Sequence, residues 1–250
     1  MKQMILEKFM DFTNWVNAYR RRNFDMREEF PRLVQSESLK AQKVLEVGCN
    51  LRPINQKSDK FILHGLDPDD RINMEETKPV FHDFFKLTLE EFKTENTYDL
   101  IVLNMVYEHL EDNNKTIDIL KSLLNENGKI LICAPSNLHP FSIINQILPH
   151  DLKLKVLSTL LPWKSDVGVS IGWKSYYDKC NIVSLRKLLE SKSMKINRSW
   201  FSFNGSEYFS FFPPLFLLIV LYEEILEALH ANLFCATFMV EITNKTSKNR

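Results

Sequence analysis

Two short apolar strands with an acid at the tip of the second constrain this chain more than any other feature. The first strand and its turn are residues 43–50 (KVLEVGCN), and the second strand is residues 64–67 (HGLD). In an open α/β sheet, this arrangement is typical of a nucleotide-type site. The acid accepts hydrogen bonds from ribose hydroxyls, and the turn lets backbone N–H groups approach the ligand. The pattern predicts a site for an adenosine-containing cofactor.

The composition excludes some classes of function. The 250 residues carry 32 basic and 32 acidic side chains, so the formal net charge is zero and nothing draws the chain to nucleic acid over long range. The one dense basic cluster, Arg20-Arg21-Arg22, is interpreted as a solvated helix end. The four cysteines form no CxxC pair and have no zinc-ligand spacing, which favours buried thiols in a reducing cytosol. The N-terminus lacks the apolar core of a cleaved signal peptide.

Strands alternate with helices along most of the chain. Further strands are predicted at 80–81, ending at 82–85, and at 98–103, 129–134, 194–203 and 233–242. Helices are predicted at 1–21, 88–92, 113–124, 182–189 and 213–230, with a turn at Asn127-Gly128. This alternation indicates parallel β-α units and an α/β, doubly wound sheet in a single domain spanning 1–250.

Three regions lie outside that alternation. Residues 1–40 are predicted to be an N-terminal helical region, which either packs across the sheet or covers a cofactor as a lid. Residues 137–180 are rich in proline and aromatic side chains and are predicted to form an inserted cap of short helices and loop. Residues 206–231 hold an apolar helix between the last two strands.

Five motifs in this order resemble class I S-adenosylmethionine-dependent methyltransferases of the small-molecule type. They are VLEVGC at 44–49, LD at 66–67, HD at 82–83, YDLI at 98–101 with EHL at 108–110, and NGKIL at 127–131. The resemblance is close over residues 40–136. It implies a Rossmann-like, seven-stranded, mostly parallel sheet whose last strand is antiparallel and lies beside the fifth. It also implies S-adenosylmethionine as the cofactor and methyl transfer to an oxygen or nitrogen of a small or lipid-linked acceptor.

The same resemblance implies roles for individual residues. Glu46 would bind the amino group of the cofactor, Asp67 the ribose, and Asp83 the adenine amino group. The remaining cofactor contacts would come from Gly48, Cys49, Asn50, Arg52, Pro68, Phe84, Asn104 and Met105.

The turn departs from the family pattern at two positions where glycine is usual. Asn50 is a plausible replacement, because asparagine readily adopts positive φ. Arg52 would either point outward or bind the carboxylate of the cofactor. These departures leave open a non-catalytic protein that keeps the fold as a binding or scaffold module. A nicotinamide-dependent oxidoreductase ranks lower, since 48–53 lacks the GxGxxG pattern.

Methyl transfer needs a positioned nucleophile and, for some acceptors, a base. His109 is the first candidate base and His139 the second, each with a structural role as the alternative. Met105 stands where related metal-dependent enzymes have an acid, so no metal is predicted.

The apolar segment 208–230 has three interpretations: a core helix, a homodimer surface, or an interfacial element for peripheral membrane contact. The sequence predicts a cytoplasmic protein, with peripheral attachment to a membrane as the alternative.

Overall fold

The centre of the protein is a seven-stranded sheet in the order β3-β2-β1-β4-β5-β7-β6. A computed structural model describes residues 2–22, 24–50, 52–149 and 173–245. The strands are β1 (Lys43–Val47), β2 (Ile62–Leu66), β3 (Asp83–Phe85), β4 (Tyr98–Asn104), β5 (Leu124–Pro135), β6 (Met194–Ser202) and β7 (Thr237–Asn244). The first five strands of the chain, β1 to β5, run parallel to one another. Strand β7 is antiparallel to both of its neighbours, β5 and β6. The predicted sheet, with its antiparallel last strand beside the fifth, is confirmed.

Helices cover both faces of this sheet. They are α1 (Lys2–Arg21), α2 (Met26–Ser38), α3 (Met74–Thr77), α4 (Asn113–Leu123), α5 (Pro140–Ile147), α6 (Ile182–Ser191) and α7 (Pro213–Ala228). Strand β4 shows why both faces are buried: Leu100 and Val102 lie in one hydrophobic core, and Ile101 and Leu103 in the other. A central parallel strand reads as a continuous apolar run for this reason.

The basic cluster at the end of α1 differs from the prediction of a solvated helix end. The Arg20 side chain is buried, and its guanidinium pairs with Glu223 at 2.6 Å and also with Glu224. Arg21 pairs with Glu207 at 2.8 Å. The sequence could not show this because the glutamates lie about 200 residues further along the chain.

The start of β3 is also later than predicted. The N–H groups of Val80 and Phe81 both donate to the carbonyl of Thr77, at 3.0 and 2.9 Å, which keeps this stretch in a turn after α3. The strand therefore begins at Asp83.

Other local predictions need correction. Residues 88–92 form a turn, in which Glu91 accepts hydrogen bonds from the backbone and hydroxyl of Thr88. Strand β5 runs through Asn127-Gly128, where a turn was predicted. Strand β7 begins at Thr237, after a short 3₁₀ turn at Asn232–Phe234. Of the predicted cap, residues 150–172 lie outside the described residues.

Candidate functional site

Two residues of the turn after β1 have positive φ, a backbone conformation that glycine and asparagine adopt more readily than other residues. Gly48 has φ of +66°, and a Cβ there would lie 2.3 Å from a methyl carbon of Val106. Asn50 has φ of +49°, as predicted for an asparagine replacing glycine. The turn therefore keeps its compact shape although it contains one glycine.

Asp67 lies directly beside this turn. Its Oδ2 accepts a hydrogen bond from the N–H of Asn50 at 2.8 Å, and its Oδ1 accepts one from the N–H of Asp69 at 2.9 Å. Strands β1 and β2 are neighbours and end at the same edge, which brings the turn and the acid together. A carboxylate accepts about four hydrogen bonds, so each oxygen retains capacity for a ligand hydroxyl. Pro68 follows, half-buried.

A small cavity of about 40 Å³ opens at the turn. Its lining includes five predicted cofactor residues: Glu46, Gly48, Cys49, Arg52 and Asn104. The side chain of Asn104 is exposed at the end of β4, as is that of Met105, whose φ is +55°. Burial raises the pKa of the Cys49 thiol well above its usual value, so this cysteine is a neutral wall of the cavity.

Glu46 is held by the chain that follows the turn. Its carboxylate accepts hydrogen bonds from the N–H of Ile54 at 2.8 Å and from the N–H and side-chain amide of Asn55 at 2.9 and 2.8 Å. Burial raises the pKa of Glu46, against the opposing effect of these donors. Glu46 therefore anchors the loop that forms one wall of the cavity.

Asp83 and Phe84 do not lie at the edge of the sheet where β1 and β2 end. Asp83 begins β3 opposite His64, and its carboxylate is 3.3 Å from the Nε2 of that histidine. Phe84 lies within the strand and packs on Phe81, with ring centroids 5.2 Å apart. This placement does not favour the predicted contact of these two residues with adenine: Asp83 and Phe84 pair with His64 and Gly65, so both lie before the end of the strand. The end of β3 is Phe85.

His109 lies on a 3₁₀ turn, Tyr107–His109, just beyond the end of β4. Its Nδ1 is 3.0 Å from the carbonyl oxygen of Lys174. A carbonyl only accepts, so Nδ1 carries the proton and Nε2 keeps its lone pair. Burial lowers the pKa of the imidazole, and the contact with Lys174 opposes this. His109 therefore stays neutral at physiological pH and presents a basic nitrogen.

Glu108, its neighbour, is a functional candidate to which the sequence analysis assigned no role of its own. The residue is buried, and its Oε2 has no hydrogen-bond partner in the described part of the chain. Burial raises the pKa of this carboxyl to about 8, so the acid is mostly neutral at pH 7. Its backbone carbonyl accepts hydrogen bonds from the N–H groups of Tyr176 and Tyr177, at 2.8 and 3.0 Å. Only the EHL motif marked the position in the sequence.

His139 has a different environment, in which both ring nitrogens have partners. The N–H of Phe141 donates to its Nδ1 at 3.3 Å, and its Nε2 lies 3.0 Å from an oxygen of Glu223. The proton is therefore on Nε2 and donated to the glutamate, and neither nitrogen is available to a substrate. The ring is 2% exposed and caps the first turn of α5. These contacts favour the structural alternative for His139.

Comparisons with known proteins agree with this architecture. A family profile described as "Methyltransferase domain" matches residues 17–190, well over half of the chain. No curated protein matches the sequence at a significant level.

Several solved structures share the fold at low sequence identity. The plantazolicin methyltransferase BamL, in complex with a triazolic desmethylPZN analog and SAH, has a TM-score of 0.51 and 14% identity, over 94% of this chain and 91% of that one. The plantazolicin methyltransferase BpumL, in complex with a monoazolic desmethylPZN analog and SAH, has a TM-score of 0.50 and 15% identity, over 97% of this chain and 98% of that one. PKMT2 from Rickettsia typhi, in complex with AdoHcy, has a TM-score of 0.51 and 11% identity, over 87% of this chain and 53% of that one. The profile match extends from α1 to α6 and includes the turn and acid described above. The chain belongs to the class I S-adenosylmethionine-dependent methyltransferases.

Proposed function

We propose that this methyltransferase binds S-adenosylmethionine across the turn after β1 and the tip of β2, and methylates an oxygen or nitrogen of a small or lipid-linked acceptor. The bound cofactor supplies an electrophilic methyl group on its sulfonium. The observation that carries the proposal is the hydrogen bond from the Asn50 N–H to Asp67, because it joins the two halves of the site.

Asp67 would hold the ribose hydroxyls, and the backbone of Gly48, Cys49 and Asn50 would pass close beneath the cofactor. The cavity of about 40 Å³ is far smaller than the ~300 Å³ or more of a complete ligand pocket, so it suits only the methionine end of the molecule. Arg52 and Asn104 line this cavity and would bind the carboxylate and amino groups there.

The remaining contacts would come from the neighbouring strand ends. Pro68 follows Asp67, and Met105 follows Asn104. The adenine would lie beyond the end of β3, against residues 86–88, in place of the predicted Asp83 and Phe84.

His109 would act on the acceptor. Its Nε2 carries a lone pair in the tautomer fixed by Lys174, so it can take the proton that an O–H or N–H nucleophile loses on methylation. Methyl transfer is a direct displacement, so the chain needs to supply only orientation and this proton acceptor.

Calorimetric titration with S-adenosylhomocysteine tests the cofactor site. Asp67→Asn keeps the shape of the side chain and removes its charge, so we expect ~10–100-fold weaker binding, about 1–3 kcal/mol. The matched control is Asp70→Asn, three residues away, where the carboxylate is fully exposed. A folded wild-type protein that gives no heat at millimolar ligand would refute cofactor binding. Equal affinity of the two variants would refute the assignment of Asp67.

A further inference from the structure

Helix α7 buries one glutamate on its inner face and exposes a row of apolar side chains on its outer face. A surface helix normally turns its apolar stripe inward and its charges outward. Here the residues buried on the inner face are Phe216, Ile219 and Glu223, and the carboxylate is completely buried. The outer face and the residues just before the helix expose large apolar side chains, namely Phe211, Phe212, Leu217, Leu218, Leu221, Ile225 and Leu229.

The inner face is fixed by buried polar contacts. One oxygen of Glu223 accepts hydrogen bonds from Nε2 of His139 at 3.0 Å and from the N–H of Gly205 at 2.8 Å. The other oxygen pairs with Arg20 at 2.6 Å. These three partners come from separate elements, so α7 cannot rotate its leucines inward without breaking all of them. The apolar face stays outward.

We propose that the outer face of α7 is the contact surface of a homodimer, in which a second copy of this chain packs its own α7 against it about a two-fold axis. A contiguous apolar face of this extent is at the upper end of what monomers expose, and patches of this size often serve as interaction sites. A single helix face is self-complementary in an antiparallel pair, as a two-fold contact requires.

The exposed area fits this occupant. Leu218 is 61% exposed, Leu221 58% and Leu229 71%, and the other four outer residues are between 38% and 52%. An aromatic side chain buries ~150–250 Å², and with the lower end of that range applied to all seven residues, these exposed fractions leave on the order of 600 Å² of apolar surface. A standard interface buries about 800 Å² per partner, so this face supplies most of the area that a stable dimer interface needs.

The charges favour a second copy over a lipid surface. Interfacial helices that bind anionic membranes carry lysine and arginine on their polar face. Helix α7 has neither, and it carries Glu223, Glu224 and Glu227. In an antiparallel pair, Glu224 and Glu227 approach the positive end of the partner helix dipole, which is a favourable position for carboxylates. None of the described helices is long and apolar enough to span a bilayer.

Sedimentation velocity of the full chain over a range of concentrations tests the proposal. We expect the wild type to dimerise, and we expect Leu221→Glu to raise the dissociation constant by ~100-fold or more, because each dimer would bury two unpaired carboxylates. The matched control is Leu39→Glu. Leu39 is 57% exposed and lies at the end of α2, so its variant should dimerise like the wild type. Circular dichroism verifies that both variants fold.

Three results would overturn the proposal: a wild type that is monomeric at all concentrations, a dimer that Leu221→Glu leaves intact, or a monomer that floats with phosphatidylcholine–phosphatidylglycerol vesicles. The last would assign the face to a lipid surface. Titration with S-adenosylhomocysteine is independent of each outcome, so a failure here is distinct from a failure of the cofactor site.

Discussion

Replacing Glu108 by glutamine should make the protein more stable, and the gain should grow with pH. In the folded protein, burial raises the pKa of this carboxyl to about 8, from an ordinary value of 4.5. Between these two values the unfolded chain gives up a proton that the folded protein keeps. Unfolding then releases a proton, so the stability of the wild type falls as pH rises from about 4.5 to 8. Glutamine does not titrate, so the variant loses this contribution to the pH dependence.

The magnitude follows from the size of the shift. Each pKa unit corresponds to about 1.4 kcal/mol. Most of the interval between the pKa of the unfolded chain, 4.5, and that of the folded protein, about 8, lies between pH 5 and pH 8. We therefore expect the free energy of unfolding of Glu108→Gln, relative to that of the wild type, to increase by roughly 3–4 kcal/mol over this range. Other titrating groups are common to both proteins, so they largely cancel in the difference.

Urea denaturation at pH 5, 6, 7 and 8, followed by tryptophan fluorescence, measures this difference. Glu111→Gln, an exposed glutamate three residues further along, is the control, and its difference from the wild type should change little with pH. If the stability difference between Glu108→Gln and the wild type is the same at pH 5 and pH 8, the side chain is not held neutral by burial and the argument is wrong.

Two further predictions concern buried or partly buried charge. Arg20→Met should destabilise the protein by about 3–5 kcal/mol, because it leaves the Glu223 carboxylate buried without its cation. Adding Glu223→Gln to that variant should recover part of the loss, and a double-mutant cycle with no coupling between the two sites would contradict the pairing. For His109, burial lowers the pKa, so an NMR titration of its imidazole should give a midpoint below 6.5. A midpoint above that value would refute its assignment as a neutral base at physiological pH.

The geometry of the turn and the acid, which form the proposed cofactor site, was predictable because these parts are close together in sequence. The acid at position 67 follows a short strand directly, and the fold then fixes it beside the turn. Asn50 was expected at positive φ from its side-chain chemistry alone, and the backbone has it there. The expected position of Asp83 depended on the register of β3 against β2. Asp83 pairs with His64 and Phe85 with Leu66, and no pattern in the strand itself reveals this register.

The acceptor half was less accessible to sequence analysis. His109 was the first candidate base and His139 the second, and each had a structural role as its alternative because each follows a strand at the same edge of the sheet. Their hydrogen-bond partners separate them: one nitrogen of His109 faces a carbonyl, whereas both nitrogens of His139 are occupied. A lone histidine in a sequence shows its basicity but not its partners.

The sequence by itself determined the order of the seven strands, the parallel sheet with its antiparallel last strand, and the proximity of the turn and the acid. These depend on periodicity and turn chemistry within a few residues. Only the tertiary structure decided that Glu223 meets His139 from 84 residues away and Arg20 from 203. It also decided that α7 turns one of its three glutamates, Glu223, inward and several leucines outward. Such outcomes depend on which surfaces meet when the chain packs, and local sequence does not specify partners at that distance.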